Sequence, residues 1–135
     1  MDQKQLIKNF NRCIDWEDKY LYIISLGEKF ARLPEALQTE QTAIYGCQSQ
    51  VWIQVQVEQG KVQLLGSSDA ALVKGLVAVV CLLLQDKTPK QLLETNIKSI
   101  FAELGLQQQL TPARNQGIEA MVKSIFKQVQ ALEMA

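Results

Sequence analysis

The chain of 135 residues has no histidine. Without imidazole there is no Ser-His-Asp or Cys-His nucleophilic system and no zinc site that depends on a histidine ligand, so acid and base work falls to carboxylates, lysine or tyrosine. A charge surplus is missing too, since 14 basic residues meet 14 acidic ones. Nothing gathers phosphates, no like-charge block repels itself into disorder, and nucleic acid is not an expected partner. Long apolar runs are also lacking. The longest, Leu76 to Leu84, covers nine residues, where a bilayer span needs about 20, so no membrane partner is expected. The opening Met1-Asp2-Gln3-Lys4-Gln5 is polar, with no apolar stretch behind a basic cluster and no small-residue cleavage site. It reads as a mature cytoplasmic N-terminus. Cysteine is scarce: three residues, at 13, 47 and 81, widely spaced and without a C-x-x-C pair. That pattern argues against a disulfide framework and suits a reducing compartment.

What is present is a 47% hydrophobic chain of ordinary domain size, enough for one core, so residues 1–135 are expected to form a single domain. Leu6, Ile7, Phe10 and Ile14 recur at helical spacing. Asp15 then offers an N-cap to a run carrying Trp16, Tyr20, Ile23 and Ile24, giving two amphipathic helices or one bent one. Gly27 is a candidate helix stop, and Leu33-Pro34 a break soon after it. From Val51 the period changes to two: Val51, Ile53, Val55 and Val57 alternate with Trp52, Gln54, Gln56 and Glu58. A turn at Gln59-Gly60 and renewed alternation over Lys61 to Leu65 complete a β-hairpin.

Ser67-Ser68-Asp69 is expected to cap a helix from about Ala70 to Gln85 whose apolar residues surround most of its circumference, marking it as the central, buried one. Thr88-Pro89 and Thr111-Pro112 each place an oxygen cap before a proline, which costs nothing in the first helical turn. Asn96 to Leu104 forms a short helix stopped by Gly105. Ile118, Met121, Val122, Ile125, Phe126 and Val129 form the stripe of a long final helix. The order helices, hairpin, helices predicts an α+β domain: a small antiparallel sheet with helices packed on it.

Of the cysteines, Cys13 lies beside the apolar stripe of the first helix and Cys81 sits inside the all-apolar one. Both read as core filler. Cys47 differs, because Tyr45-Gly46-Cys47-Gln48-Ser49 has the chemistry of a loop. Spacing alone leaves two readings of it open, a thiol packed under the sheet and a reactive one, since a thiolate-favouring setting is not visible in sequence. One unassisted loop thiol suits thiol exchange and persulfide transfer, where the partner brings the leaving group. A peroxidase or redox sensor is disfavoured by the lack of a neighbouring resolving cysteine.

The segment Tyr45-Gly46-Cys47-Gln48-Ser49-Gln50-Val51-Trp52 resembles the signature of the SufE family of sulfur-acceptor proteins, including its CsdE branch. The likeness continues through Gly66-Ser67-Ser68-Asp69-Ala70-Ala71-Leu72-Val73-Lys74-Gly75-Leu76, Leu104-Gly105-Leu106, Leu110-Thr111-Pro112-Ala113-Arg114 and Gly117, nearly the whole chain. The resemblance implies a fold similar to the IscU iron-sulfur scaffold. It also implies a partner, a cysteine desulfurase that carries pyridoxal phosphate, the chain itself binding no cofactor. In the family the cysteine of the Gly-Cys-Gln-Ser loop, here Cys47, takes sulfur from the desulfurase persulfide, raises that enzyme's turnover, and passes the sulfur towards a downstream acceptor or iron-sulfur scaffold.

On this resemblance the chain is an accessory protein with no turnover of its own. Gly46, Gln48 and Ser49 shape the loop, Arg114 lies near it and favours the sulfur anion, and Asp69 is a helix cap or a partner contact. A scaffold role is not implied, because iron needs several ligands and only Cys47 stands in a suitable loop. A binding module that activates the desulfurase by contact alone is the alternative. Because a persulfide is labile, Cys47 is expected to be at least partly sheltered in the free protein.

Overall fold

A computed structural model describes residues 1–134. Among them are α1 (Gln3–Asn11), α2 (Trp16–Phe30), a 3-10 turn at Glu35–Leu37, β1 (Val51–Glu58), β2 (Lys61–Ser68), α3 (Ala71–Leu84), α4 (Pro89–Leu93), α5 (Ile97–Glu103) and α6 (Pro112–Met134). The class is α+β: six helices and one two-stranded antiparallel sheet among the described residues. No helix there is long and apolar enough to cross a membrane.

The sheet follows from the alternating pattern. Val51, Ile53, Val62 and Leu64 are buried, and the strands pair in register from Val51 opposite Ser68 to Glu58 opposite Lys61. Gln59 and Gly60 both take positive φ, 53° and 77°, as a two-residue hairpin turn that matches strand twist requires. Alternation of burial fades in β1 towards the turn, where Val57 is exposed although Val62, opposite it, is buried. β2 is longer than its alternation indicates, continuing through Gly66 to Ser68.

α3 is the central helix, packed between α2 on one side and β2 on the other, with Leu72, Leu76, Val77, Val79, Val80, Leu83 and Leu84 buried. Gly27 and Gly75 allow the α2–α3 approach. A Cβ on Gly27 would lie 2.7 Å from the backbone nitrogen of Gly75, and one on Gly75 would run into the Ile23 carbonyl. Gly27 is therefore no helix stop, since α2 continues to Phe30. It is a crossing point, fixed by a partner helix that local reading does not contain.

The expected caps at Asp15 and Thr88 are present, each side chain accepting an N–H of the first helical turn, and Asn96, expected inside the short helix, caps α5 in the same way. Thr111 Oγ1 likewise accepts from the Arg114 N–H at 3.2 Å. Two expectations fail near the chain start. α1 ends at Asn11 with Arg12 as its C-cap, so Cys13 and Ile14 fall in the link to α2 rather than on the helical stripe. Ile14 is 90% exposed, and Cys13 is only partly covered rather than core. Cys81 is buried.

Candidate functional site

Cys47 sits in a loop whose base is tied on both sides. On the near side the Ile44 N–H donates to the Val51 carbonyl and the Ile53 N–H to the Thr42 carbonyl, both at 2.8 Å. These bonds extend the sheet by a short bridge between Ala43 and Trp52, which places Trp52 in sheet packing. On the far side Gln50 is clamped by the end of β2. Its N–H donates to Asp69 Oδ1 at 3.0 Å, and its carbonyl accepts from Ser68 Oγ at 2.6 Å and from the Asp69 N–H at 3.3 Å.

Asp69 is thus not the cap of α3. The N-cap is Ala70, with no side-chain cap bond, because β2 runs on to Ser68 and leaves the carboxylate facing the loop instead of the first helical turn.

Between its tied ends the loop crosses α6. Gly46, at φ 97°, turns the chain in a conformation that suits glycine, and a Cβ there would stand 3.2 Å from that of Ala120. Cys47 comes to rest on Gly117, donating its S–H to the Gly117 carbonyl with the sulfur 3.5 Å from the oxygen. The thiol opens on a small cavity of ≈ 80 Å³, walled by Leu72, Val73 and Leu76 of α3 and by Gly117 and Met121 of α6. Gln48, Ser49 and Arg114 also line it, Arg114 as an exposed side chain of the first turn of α6.

The loop therefore brings four expected residues, Cys47, Gln48, Ser49 and Arg114, to one cavity. Gly46 lies on its other side, and Asp69 acts at a distance through Gln50. A larger groove of ≈ 1530 Å³ begins at Tyr45 and Gly46 and runs between α6 and the α4–α5 segment, but neither Cys47 nor Arg114 lines it.

Burial holds the Cys47 thiol above its ordinary value of 9.0, so in the resting protein it stays protonated and hydrogen-bonded rather than poised as a thiolate. Cys13 is also raised, by burial first and then by Asp18, with Lys19 opposing. Burial pushes Cys81 up to about 12. Cys47 combines partial cover with a cavity beside it. Among the described residues no three Cys, Asp or Glu side chains are grouped so as to hold a metal ion.

Neither a role for Gly117 nor the walls supplied by α3 are legible in the sequence. Their apolar residues carry the signature of core, which they also are. The one local signal was a glycine inside a helical stripe.

A family model described as "SufE: Fe-S metabolism associated domain" matches residues 4–129. In three dimensions the chain is similar to the solution structure of a hypothetical protein from Thermus thermophilus. The TM-score is 0.79 at 24% sequence identity, over 98% of this chain and 96% of that one, a likeness that concerns the fold.

Proposed function

The chain belongs to the SufE family of Fe-S metabolism associated domains, and from that premise we propose that it accepts sulfur on Cys47 from the persulfide of a cysteine desulfurase, stimulates that enzyme, and hands the sulfur on towards iron-sulfur cluster assembly. The observation that carries the reading is the half-buried thiol of a loop tied at its base, facing a cavity with room beside the sulfur. That arrangement fits a carrier. A self-sufficient catalyst needs a base at its nucleophile, and burial is what shifts this thiol, upward.

In the transfer step the Cys47 thiolate attacks the outer sulfur of the desulfurase persulfide. One S–S bond forms on Cys47 Sγ, the bond to the enzyme's cysteine breaks, and that cysteine leaves as a thiolate, with no net oxidation. Docking that draws Cys47 out of its cavity restores it towards the ordinary thiol range and supplies the thiolate where it is needed. Return of the loop then covers the new persulfide. Gln48 and Ser49 flank the cysteine in the cavity wall, and Arg114 at the rim offers a cation to the sulfur anion as it forms or leaves. The pyridoxal phosphate chemistry that releases sulfur from free cysteine belongs to the partner.

The test incubates the protein with a cysteine desulfurase and cysteine and maps the added sulfur by peptide mass spectrometry. The expected result is one extra sulfur on Cys47, with Cys47→Ser neither loaded nor stimulatory. Sulfur on Cys13 or Cys81 instead refutes the reading. Full stimulation by Cys47→Ser favours activation by contact alone.

A further inference from the structure

Gly117 lies within α6, where glycine is the poorest residue after proline at holding a helix. Its φ is not in the left-handed region, in contrast to Gly46, Gly60 and Gly105, so backbone conformation does not demand glycine. Crowding does not demand it either. A Cβ built at 117 would meet Cys47 at Sγ 3.5 Å, Cβ 3.9 Å and Cα 4.0 Å, ordinary van der Waals distances. At Gly75, by contrast, the same atom collides with backbone. The resting thiol protein would thus accept alanine at 117, and the helix would gain from it.

The missing methyl does leave space on one side of one atom. Gly117 walls the cavity beside Sγ, and its carbonyl is the acceptor at which the Cys47 S–H points. When Cys47 carries sulfur, the outer sulfur stands about 2 Å from Sγ, too far out to keep the hydrogen's line to the Gly117 carbonyl 3.5 Å away, so it turns aside from that oxygen into the room that the bare Cα of Gly117 leaves beside Sγ. The cavity of ≈ 80 Å³ is several times the about 10–15 Å³ that one water occupies, so it admits one further sulfur while position 117 adds no side chain to a wall already formed by Leu72, Val73, Leu76 and Met121.

We infer that Gly117 is the residue that sizes this cavity for a second sulfur: a positioning residue that makes the resting loop able to close over Cys47–S–SH as well as over Cys47–SH. The inference rests on the sulfur-acceptor reading and adds to it the feature that separates holding a persulfide from merely presenting a thiol.

The test loads the protein without a desulfurase. Inorganic polysulfide reacts with the Cys47 thiolate, one S–S bond forming on Sγ while another breaks and a shorter polysulfide leaves. Dithiothreitol then removes the outer sulfur as sulfide, being oxidised to its cyclic disulfide and releasing the Cys47 thiol. Intact mass follows the loss. Gly117→Ala is expected to lose the outer sulfur about tenfold faster than the unaltered protein, and Gly117→Val faster still. Alkylation of the unloaded thiol by iodoacetamide is expected to change by no more than about twofold in the alanine variant, because the methyl makes only ordinary contact with it.

Equal persulfide lifetimes overturn the inference. So does a shorter lifetime matched by an equal rise in alkylation, since that marks a loosened loop. If the unaltered protein takes up no sulfur on Cys47, the acceptor reading itself fails, a result distinct from either.

Discussion

Replacing Asp69 with alanine is expected to loosen the Cys47 loop without altering the thiol or its cavity. The carboxylate accepts the Gln50 N–H at 3.0 Å, while the Ser68 Oγ and Asp69 N–H bonds to the Gln50 carbonyl survive in the variant. Only one of the three ties at that end is lost. A hydrogen bond to a charged group contributes about 1.5–3 kcal/mol when protected. Asp69 is exposed and water competes for the same N–H, so about 1 kcal/mol is a fitting figure. If a bulky thiol reagent reaches Cys47 only when the loop opens, about 1 kcal/mol off the opening free energy raises the modification rate about fivefold.

The assay is the rate of modification of Cys47 by a polyethylene glycol maleimide, measured beside urea unfolding of the same samples. Asp69→Asn keeps an oxygen acceptor without the charge and is expected to stay within about twofold of the unaltered protein. An Asp69→Ala rate equal to the unaltered one would refute the clamp. So would an increase accounted for by a matching loss of global stability, because the reagent would then be reporting unfolding of the whole domain.

Gly75→Ala places a methyl against the Ile23 carbonyl and is expected to cost at least about 2 kcal/mol by forcing α2 and α3 apart; urea unfolding measures it, and a stability within error of the unaltered protein would show that the helices do not cross as described. The third prediction concerns alkaline pH. Burial raises Cys81 from 9.0 to about 12, so as pH climbs the unfolded chain releases this proton first. The stability the group contributes is intact below its unfolded value and is lost through that window, by up to about 1.4 kcal/mol per pH unit. Cys81→Ala is expected to flatten the alkaline slope of stability in a urea-unfolding series, and an unchanged slope would refute the assignment.

What could be read from the chain is what neighbours along the chain decide. The hairpin was legible because alternation and a two-residue turn lie within a short stretch of sequence. The caps at Asp15, Thr88 and Thr111 were legible because each bonds three residues ahead. Asp69 misled because its residue type promises a cap, whereas its partner is Gln50, brought beside it by strand pairing. Gly27 misled in the same way, since its requirement comes from Gly75 on another helix. The fate of Cys13 and Ile14 turned on where α1 stops, and a helix end is a weak local signal. At the site, Cys47 and its loop neighbours could be singled out from the sequence and a family resemblance. The cavity could not, because its walls come from α3 and α6 and only packing assembles them.

For the proposed sulfur transfer, the tied base of the Cys47 loop also sets the length of a delivery arm. With Ile44 bonded to Val51 and Gln50 to Asp69, the sulfur can swing outward only on the residues between those anchors. Three residues of extended chain, from Ile44 to Cys47, reach about 10 Å. A donor whose own reactive sulfur is recessed deeper than that must bring it forward, or present a mouth wide enough for the tip of the loop to enter. Opening the loop in the proposed transfer breaks the contacts that Cys47 and Gly46 make with α6 and none of the hydrogen bonds that tie its base to the hairpin.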